Sequence, residues 1–296
     1  MNNKYKEIVD YAIDYKKNNI KNYKQVGVAV IDTGVFLHPD IRRSVVDFYD
    51  CVNGRNIPYD NNGHGTHVSG IIAGNGHMSK KMIAGLNSDA AIIGIKVLNQ
   101  KGNGKIENVL RGLEYIVKNK EKYNIRILNI SIGGNDNYKD ADNIALIDGV
   151  EMVWSKGIVV VAAAGNNGPD KSTITAPGVS RKIITVGSSD DLSMLGNQTS
   201  YSGRGPTCRC VIKPDILCVG NKIPGLSNTI PGYVTKSGTS MSTPIISGAI
   251  SILLEKHPDM TPKDIKIALK NTSTDLGISK NIQGYGELNI KKLLSV

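Results

Sequence analysis

The chain has 296 residues, 40% of them hydrophobic, with 36 Lys and Arg against 26 Asp and Glu, a formal net charge of +10. That length suffices for one large α/β domain or two ordinary ones with a sizeable core, and no apolar run reaches the ~18 residues a membrane helix needs. The basic residues are scattered with no aromatic-interleaved patch, so no nucleic-acid partner is expected; a lysine-rich solvated surface is the simplest reading, with acidic substrates or surfaces as the other.

The opening segment, "MNNKYKEIVDYAIDYKKNNIKNYK", is polar and lysine-rich without an apolar signal region. It does not read as a secretory signal, and cytoplasmic residence is the default expectation. Ile8, Tyr11, Ala12 and Tyr15 are spaced for one face of a helix over 4–18. Residues 1–24 are taken as a helical arm, either an inhibitory or docking element or a plain solvent-facing helix, and 25–296 as one domain.

Apolar runs then recur: "VGVAVIDTGV", "AAIIGIKVL", "IRILNISIGG", "GIVVVAAAGNNG" and "RKIITVG". Helical patterns lie between them, over His64–Gly74, Ile106–Asn119 and Asp142–Ser155. Short buried strands alternating with helices predict an α/β fold: a doubly wound, mostly parallel sheet covered on both faces. "SMSTPIISGAISILLEK" reads as a long buried helix, and "TPKDIKIALKNT" as another started by Thr261-Pro262.

Function in such a sheet gathers beyond the carboxyl ends of the strands. The runs stop at Asp32, at Ser131-Ile132-Gly133-Gly134 and at Asn166. An aspartate closing an apolar strand is costly unless paired or hydrogen-bonded, although a turn carboxylate would meet that need. "NNGHGTHVSGIIAG" sets His64 and His67 at a helix start, where a metal pair is one reading and a polar helix terminus another. In "SGTSMSTP", Ser240 opens a buried helix whose free N–H groups suit a developing oxyanion. Asn166, beside Asn167-Gly168, also fits an ordinary turn. Together these residues supply a nucleophile, a base and an orienting acid, the needs of acyl transfer.

Two near-misses fall away. "GNNGPDKS" lacks the second glycine of a phosphate loop, and Pro169 removes a needed N–H. Cys208, Cys210 and Cys218 lack the paired spacings of a zinc site; with Cys51 they read as free thiols, as in a reduced compartment.

The sequence resembles the subtilisin-like serine proteases, the subtilases, through "VAVIDTGV", "NGHGTHVSGIIAG", "VVVAAAGNNGP" and "SGTSMSTP". "KVLNQKGNG", "LNISIGG", "YSGRGPT", "IKPDI" and "QGYGELN" support the match over about 26–290. The order Asp, His, Ser is the one known from subtilisin and is a match to that case. Within the family the pattern is most similar to the intracellular alkaline proteases.

The resemblance implies a subtilisin-like fold and a serine endopeptidase acting through an acyl-enzyme. Ser240 corresponds to the nucleophile, His64 to the general base and acid, and Asp32 to the residue orienting the imidazole. The Asn166 amide and the Ser240 N–H correspond to the oxyanion donors, and His67 falls outside the triad. A protein or peptide substrate would bind as an extended strand between "KGNGK" (Gly102 to Gly104) and "SIGG" (Ser131 to Gly133), with Ile106 and Ile132 either lining an apolar subsite or packing in the core.

There are departures. "KPDILCVG" carries Cys218 and Val219 where the family usually has Ala-Pro, and Ser242 stands where Ala is usual. Secreted relatives bind calcium at the loop after the histidine helix with an acid like Asp40; here Lys80 and Lys81 oppose a divalent ion. No cofactor is expected for the chemistry, and structural calcium elsewhere stays open. Residues 1–24 are too short for the family's usual prodomain, so the expectation is either a processed form or the short inhibitory or docking arm. The competing readings are a silent subtilase-fold binding module and a metal-dependent hydrolase using His64 and His67.

Overall fold

The computed structural model describes residues 2–134, 140–191, 200–230 and 232–296. In chain order the elements are α1 (Asn3–Asn19), β1 (Gly27–Asp32), β2 (Val45–Asp50), α2 (His64–Ala73), β3 (Ala91–Lys96), α3 (Ile106–Lys118), β4 (Ile125–Ile130), α4 (Ala141–Ser155), β5 (Val159–Ala163) and β6 (Ile184–Ser188). There follow β7 (Ile216–Cys218), β8 (Ile223–Leu226), β9 (Tyr233–Lys236), α5 (Thr239–Lys256), α6 (Pro262–Thr272), α7 (Lys280–Gln283) and α8 (Ile290–Leu294). Each predicted strand and helix is present; helix ends agree within a residue, whereas the strands stop short of the apolar runs, β5 ending at Ala163 in the run 157–168.

Seven strands form one sheet in the order β2-β3-β1-β4-β5-β6-β7, every pairing parallel. Successive residues of β1 serve opposite faces, as strand geometry requires. Val28 and Val30 pack with α1, α2, α5 and α8, whereas Ala29 and Ile31 pack with α3 and α4. Both faces are covered, which is why β1, β3 and β5 are buried along their whole length. Burial at about 1.5–3 kcal/mol per large apolar side chain makes these two layers the main source of stability.

The chain starts in the sheet at β1, passes outward to β2, returns to β3, and then crosses β1 to begin β4 on its far side. The loops after β3 and β4 therefore flank the end of β1, leaving a crevice above Asp32. This is the topological switch point where ligands bind in open parallel sheets.

The sequence pattern missed β2, β7, the β8–β9 hairpin, α7 and α8. β2 is a half-exposed edge strand, and the others are too short to show periodicity. The N-terminal helix is not a loose arm. Asn2 caps it by accepting from the Tyr5 N–H, and Tyr5, Ile8, Val9 and Ala12 are buried in the same core as α5 and α8. Lys16 is bridged to the buried Glu255 of α5 at 2.8 Å and accepted by Asn87 at 2.5 Å. Among the described residues no helix is long and apolar enough to cross a membrane.

Candidate active site

Asp32 is fully buried at the carboxyl end of β1 and accepts from the Thr33 N–H at 2.7 Å. His64 is the first residue of α2, and its Nδ1 lies 2.8 and 2.9 Å from the two Asp32 oxygens. Burial alone would push the imidazole pKa down, but the Asp32 charge and hydrogen bond outweigh it and hold His64 above its ordinary value. The helix comes this close to the strand because residue 65 is glycine. A Cβ there would lie 2.1 Å from the Gly34 carbonyl oxygen and 3.0 Å from the Asp32 Cβ.

Asp60 builds the turn that delivers His64. It accepts from the Asn62, Gly63 and Thr66 N–H groups at 3.0, 2.8 and 2.9 Å, and from the Thr33 and Thr66 hydroxyls at 2.9 and 2.7 Å. Burial would raise its pKa, but these donors hold the carboxyl below the usual range. Lys96, buried at the end of β3, donates to the Thr33 and Leu98 carbonyls at 2.5 and 2.8 Å and to Asn61 at 3.0 Å. It thereby ties the end of β1 to the loop that leaves β3.

Ser240 is the second residue of α5, in the first turn, where main-chain donors lack intrahelical acceptors. Its hydroxyl donates to the Ser131 carbonyl at 3.0 Å, and among the described residues it makes no hydrogen bond to His64. The hydroxyl is turned to the neighbouring strand end. Asn166 lies beyond the end of β5, and its side-chain oxygen accepts from the Thr239 N–H at 3.0 Å and hydroxyl at 3.1 Å. That anchoring fixes which end of the amide is held and leaves its NH₂ group without a protein acceptor among the described residues. An Asn166–Thr239 clamp thus links the loop after β5 to the start of α5.

Two cavities meet here. One of about 210 Å³ is lined by Ser131, Ile132, Gly133, Asn166, Thr239 and Ser240, among others. The other, about 650 Å³, is lined by His64, Gly102, Gly104, Ile106, Ile132 and Gly133, with Ser131 on the shared wall. Every candidate residue except the buried Asp32 lines one or the other. Ile106 and Ile132 are half-buried and face the larger cavity, joined by Leu98, Val109 and Leu146, which makes that wall apolar. No residue of α1 lines either cavity.

His67 does not face this site. Its ring is buried and its Nε2 sits 3.2 and 3.1 Å from the Ile223 and Val234 carbonyls. Burial, with the nearby His64 and Lys236 charges, pushes it down to about 4, so it is neutral near pH 7. Among the described residues no group of three or more His, Cys, Asp or Glu is placed to hold a metal ion, so the two histidines lack the further ligands a metal site needs.

The calcium loop of secreted relatives fits poorly as well. Asp40 is buried and already accepts from the Met78 N–H at 2.8 Å and the Tyr233 hydroxyl at 2.7 Å. Lys81 donates to the Asn75 carbonyl at 2.8 Å. A carboxylate spent on neutral donors and a carbonyl holding an ammonium do not make the oxygen cage a divalent ion needs.

Asp60, Lys96 and the Asn166–Thr239 contact were not singled out from the sequence. Only "DNNGHG" before the histidine offered a signal: an aspartate a few residues ahead of a glycine-led helix start is a turn former.

The sequence pattern of the subtilase family matches residues 23–286. The chain is 38% identical to the serine protease AprX of Bacillus subtilis (strain 168), over 98% of this chain and 72% of that protein. It is 33% identical to subtilisin DY of Bacillus licheniformis, over 95% of this chain and 92% of the relative. Among solved structures, sphericase superposes with a TM-score of 0.77 at 26% identity, over 96% of both chains. A cold-adapted subtilisin-like serine proteinase superposes with a TM-score of 0.70 at 28% identity, over 90% of both.

Proposed function

The chain belongs to the subtilase family and is a subtilisin-like serine endopeptidase, and we propose that it cleaves peptide bonds through an acyl-enzyme on Ser240. The observation that carries this reading is the Asp32–His64 pair, held at 2.8 Å at the rim of a cavity that continues to Ser240 and Asn166.

The substrate runs as an extended strand between the loop at Gly102–Gly104 and the loop at Ser131–Gly133. Its N–H beside the scissile bond takes over the Ser131 carbonyl, which releases the Ser240 hydroxyl toward His64. His64 Nε2 accepts the hydroxyl proton as Oγ attacks the carbonyl carbon, and Asp32 stabilises the resulting imidazolium. The Asn166 NH₂ and the Ser240 N–H receive the oxyanion, donors that act most strongly in a site shielded from water. The proton on His64 passes to the departing amine. Water, deprotonated by His64, then hydrolyses the ester and restores Ser240.

The chemistry needs no metal in this scheme, and any structural calcium lies away from the Asp40 loop. The four cysteines, free of disulfides, support an intracellular enzyme acting in protein turnover or in the processing of a precursor. The test is hydrolysis of an unfolded protein such as casein. The wild-type chain is expected to cleave it, and Ser240→Ala to lose the activity while remaining folded. A folded wild type that cleaves no peptide bond under any condition overturns the proposal and favours a silent binding module on the same fold.

A further inference from the structure

At the opposite edge of the sheet, by the amino ends of β6 and β7, lies a further cavity of about 670 Å³. Arg181, Arg209, Lys213, Lys266, Lys270 and Lys280 line it, against a single carboxylate, Asp215. These residues come from the loop before β6, the loop before β7, α6 and α7, so four segments converge their positive charge on one concavity.

Asp215 does not balance them. Its carboxylate bridges Lys213 at 2.6 Å and Lys266 at 3.0 Å and accepts from the Thr185 N–H at 2.8 Å. Lys213 is 1% exposed at the floor, and its remaining donors go to the Ile183 carbonyl and the Thr185 hydroxyl at 3.0 and 2.9 Å. Burial pushes this ammonium down to about 8, against the pull of Asp215. Lys280 is paired outward with the exposed Asp275 at 2.7 Å. Among the described residues, the Arg181 and Arg209 guanidinium groups make no hydrogen bond or ion pair, and Lys270 only approaches the Tyr285 ring at 5.8 Å. Glu151, whose charge Arg209 also feels, is already bridged by Lys182 at 2.7 Å.

The floor therefore supplies a fixed positive field, and the rim supplies unspent donors. We propose that this cavity binds a compact oligophosphate, either as an inorganic chain or as the phosphate end of a nucleotide. Two guanidinium groups beside lysines suit phosphate oxygens, which accept paired N–H donors and carry several charges in a small volume. The volume exceeds what one phosphate fills and accommodates two or three in a row. A bound anion would join α6 to the loops entering β6 and β7 and stabilise the fold by mass action.

The test uses the full chain carrying Ser240→Ala, which avoids self-digestion, at constant ionic strength set with sodium chloride. Inorganic tripolyphosphate is expected to raise the melting temperature in a saturable way. ATP acting as well as tripolyphosphate, with adenosine inert, points to a nucleotide source; tripolyphosphate alone points to the inorganic chain. The double variant Arg209→Gln/Lys270→Gln, whose side chains are exposed, should weaken tripolyphosphate binding by at least about tenfold, the equivalent of one lost charge-assisted hydrogen bond. Introduced into the chain that retains Ser240, the same double substitution should leave casein hydrolysis unchanged. No shift at matched ionic strength, a shift untouched in the double variant, or poly-glutamate matching tripolyphosphate would each overturn the proposal; the last result would make the face a docking site for acidic polypeptide.

Discussion

Ser131 and Ser240 exchange hydrogen bonds: the Ser240 hydroxyl donates to the Ser131 carbonyl at 3.0 Å, and the Ser131 hydroxyl donates to the Ser240 carbonyl at 3.3 Å. The second bond is possible because residue 244, four positions on, is proline and has no N–H to offer that carbonyl. Behind the pair, Asn129 donates to the Ser131 hydroxyl at 3.0 Å and accepts from Ser247 at 2.8 Å. A buried polar relay from Ser247 of α5 through Asn129 of β4 thus returns to α5 at Ser240.

Replacing Asn129 with alanine takes a partner from each of two buried hydroxyls. Ser247 is left without its acceptor, whereas Ser131 keeps the Ser240 carbonyl, so Asn129→Ala is expected to destabilise the fold by about 1–3 kcal/mol, the cost of one orphaned buried group. Urea unfolding of this variant in a Ser240→Ala background measures it; a loss under about 0.5 kcal/mol, the range of an inert surface change, would contradict the relay.

The Asp32–His64 pair fixes the pH dependence. His64 must be neutral to accept the Ser240 proton, and its pKa is raised above the ordinary ~6.5. Activity is therefore full above the raised value and lost as pH falls through it. The acid limb of kcat/KM, which reports the free enzyme, should have its midpoint above about 6.5; a midpoint near 5 would contradict the pairing.

With the Asn166 oxygen spent on Thr239, only its NH₂ group is left for an oxyanion. Asn166→Ala is expected to lower kcat by about 10²–10³ with KM nearly unchanged, the size measured for an oxyanion-hole amide in subtilisin. A rise in KM with kcat intact would instead make Asn166 a ground-state contact.

Lys16 docks the N-terminal helix on a fully buried carboxylate. Lys16→Met should cost about 3–5 kcal/mol, because it strands Glu255 without its counter-ion. Lys16→Met/Glu255→Leu should recover most of that in thermal or urea unfolding. Equal losses in the single and double variants would show that helix packing, and not the ion pair, is what matters.

Much of this was legible in the sequence for a specific reason. Asp32, Ser131 and Asn166 each follow an apolar run, and a parallel sheet sends the ends of its runs to one edge. Where those strands lie relative to one another was not legible: that β1 sits between β3 and β4, opening the crevice, follows from pairings between distant segments. Asp60, Lys96 and Asn129 gain their roles from partners far along the chain, and no local pattern marks them. For the N-terminal helix the apolar face was readable, but not the core it joins, since nothing near Lys16 announces Glu255. The direction of the Ser240 hydroxyl was equally hidden, as it depends on a carbonyl that the sequence does not place.

The most direct measurement is to treat the folded protein with a fluorophosphonate, digest it and locate the adduct by mass spectrometry. A single adduct on Ser240 is expected, absent from Ser240→Ala and unaffected by a chelator. No adduct on a folded wild type, an adduct on Ser237 or Ser242 instead, or labelling that disappears with the chelator would contradict Ser240 as the activated nucleophile.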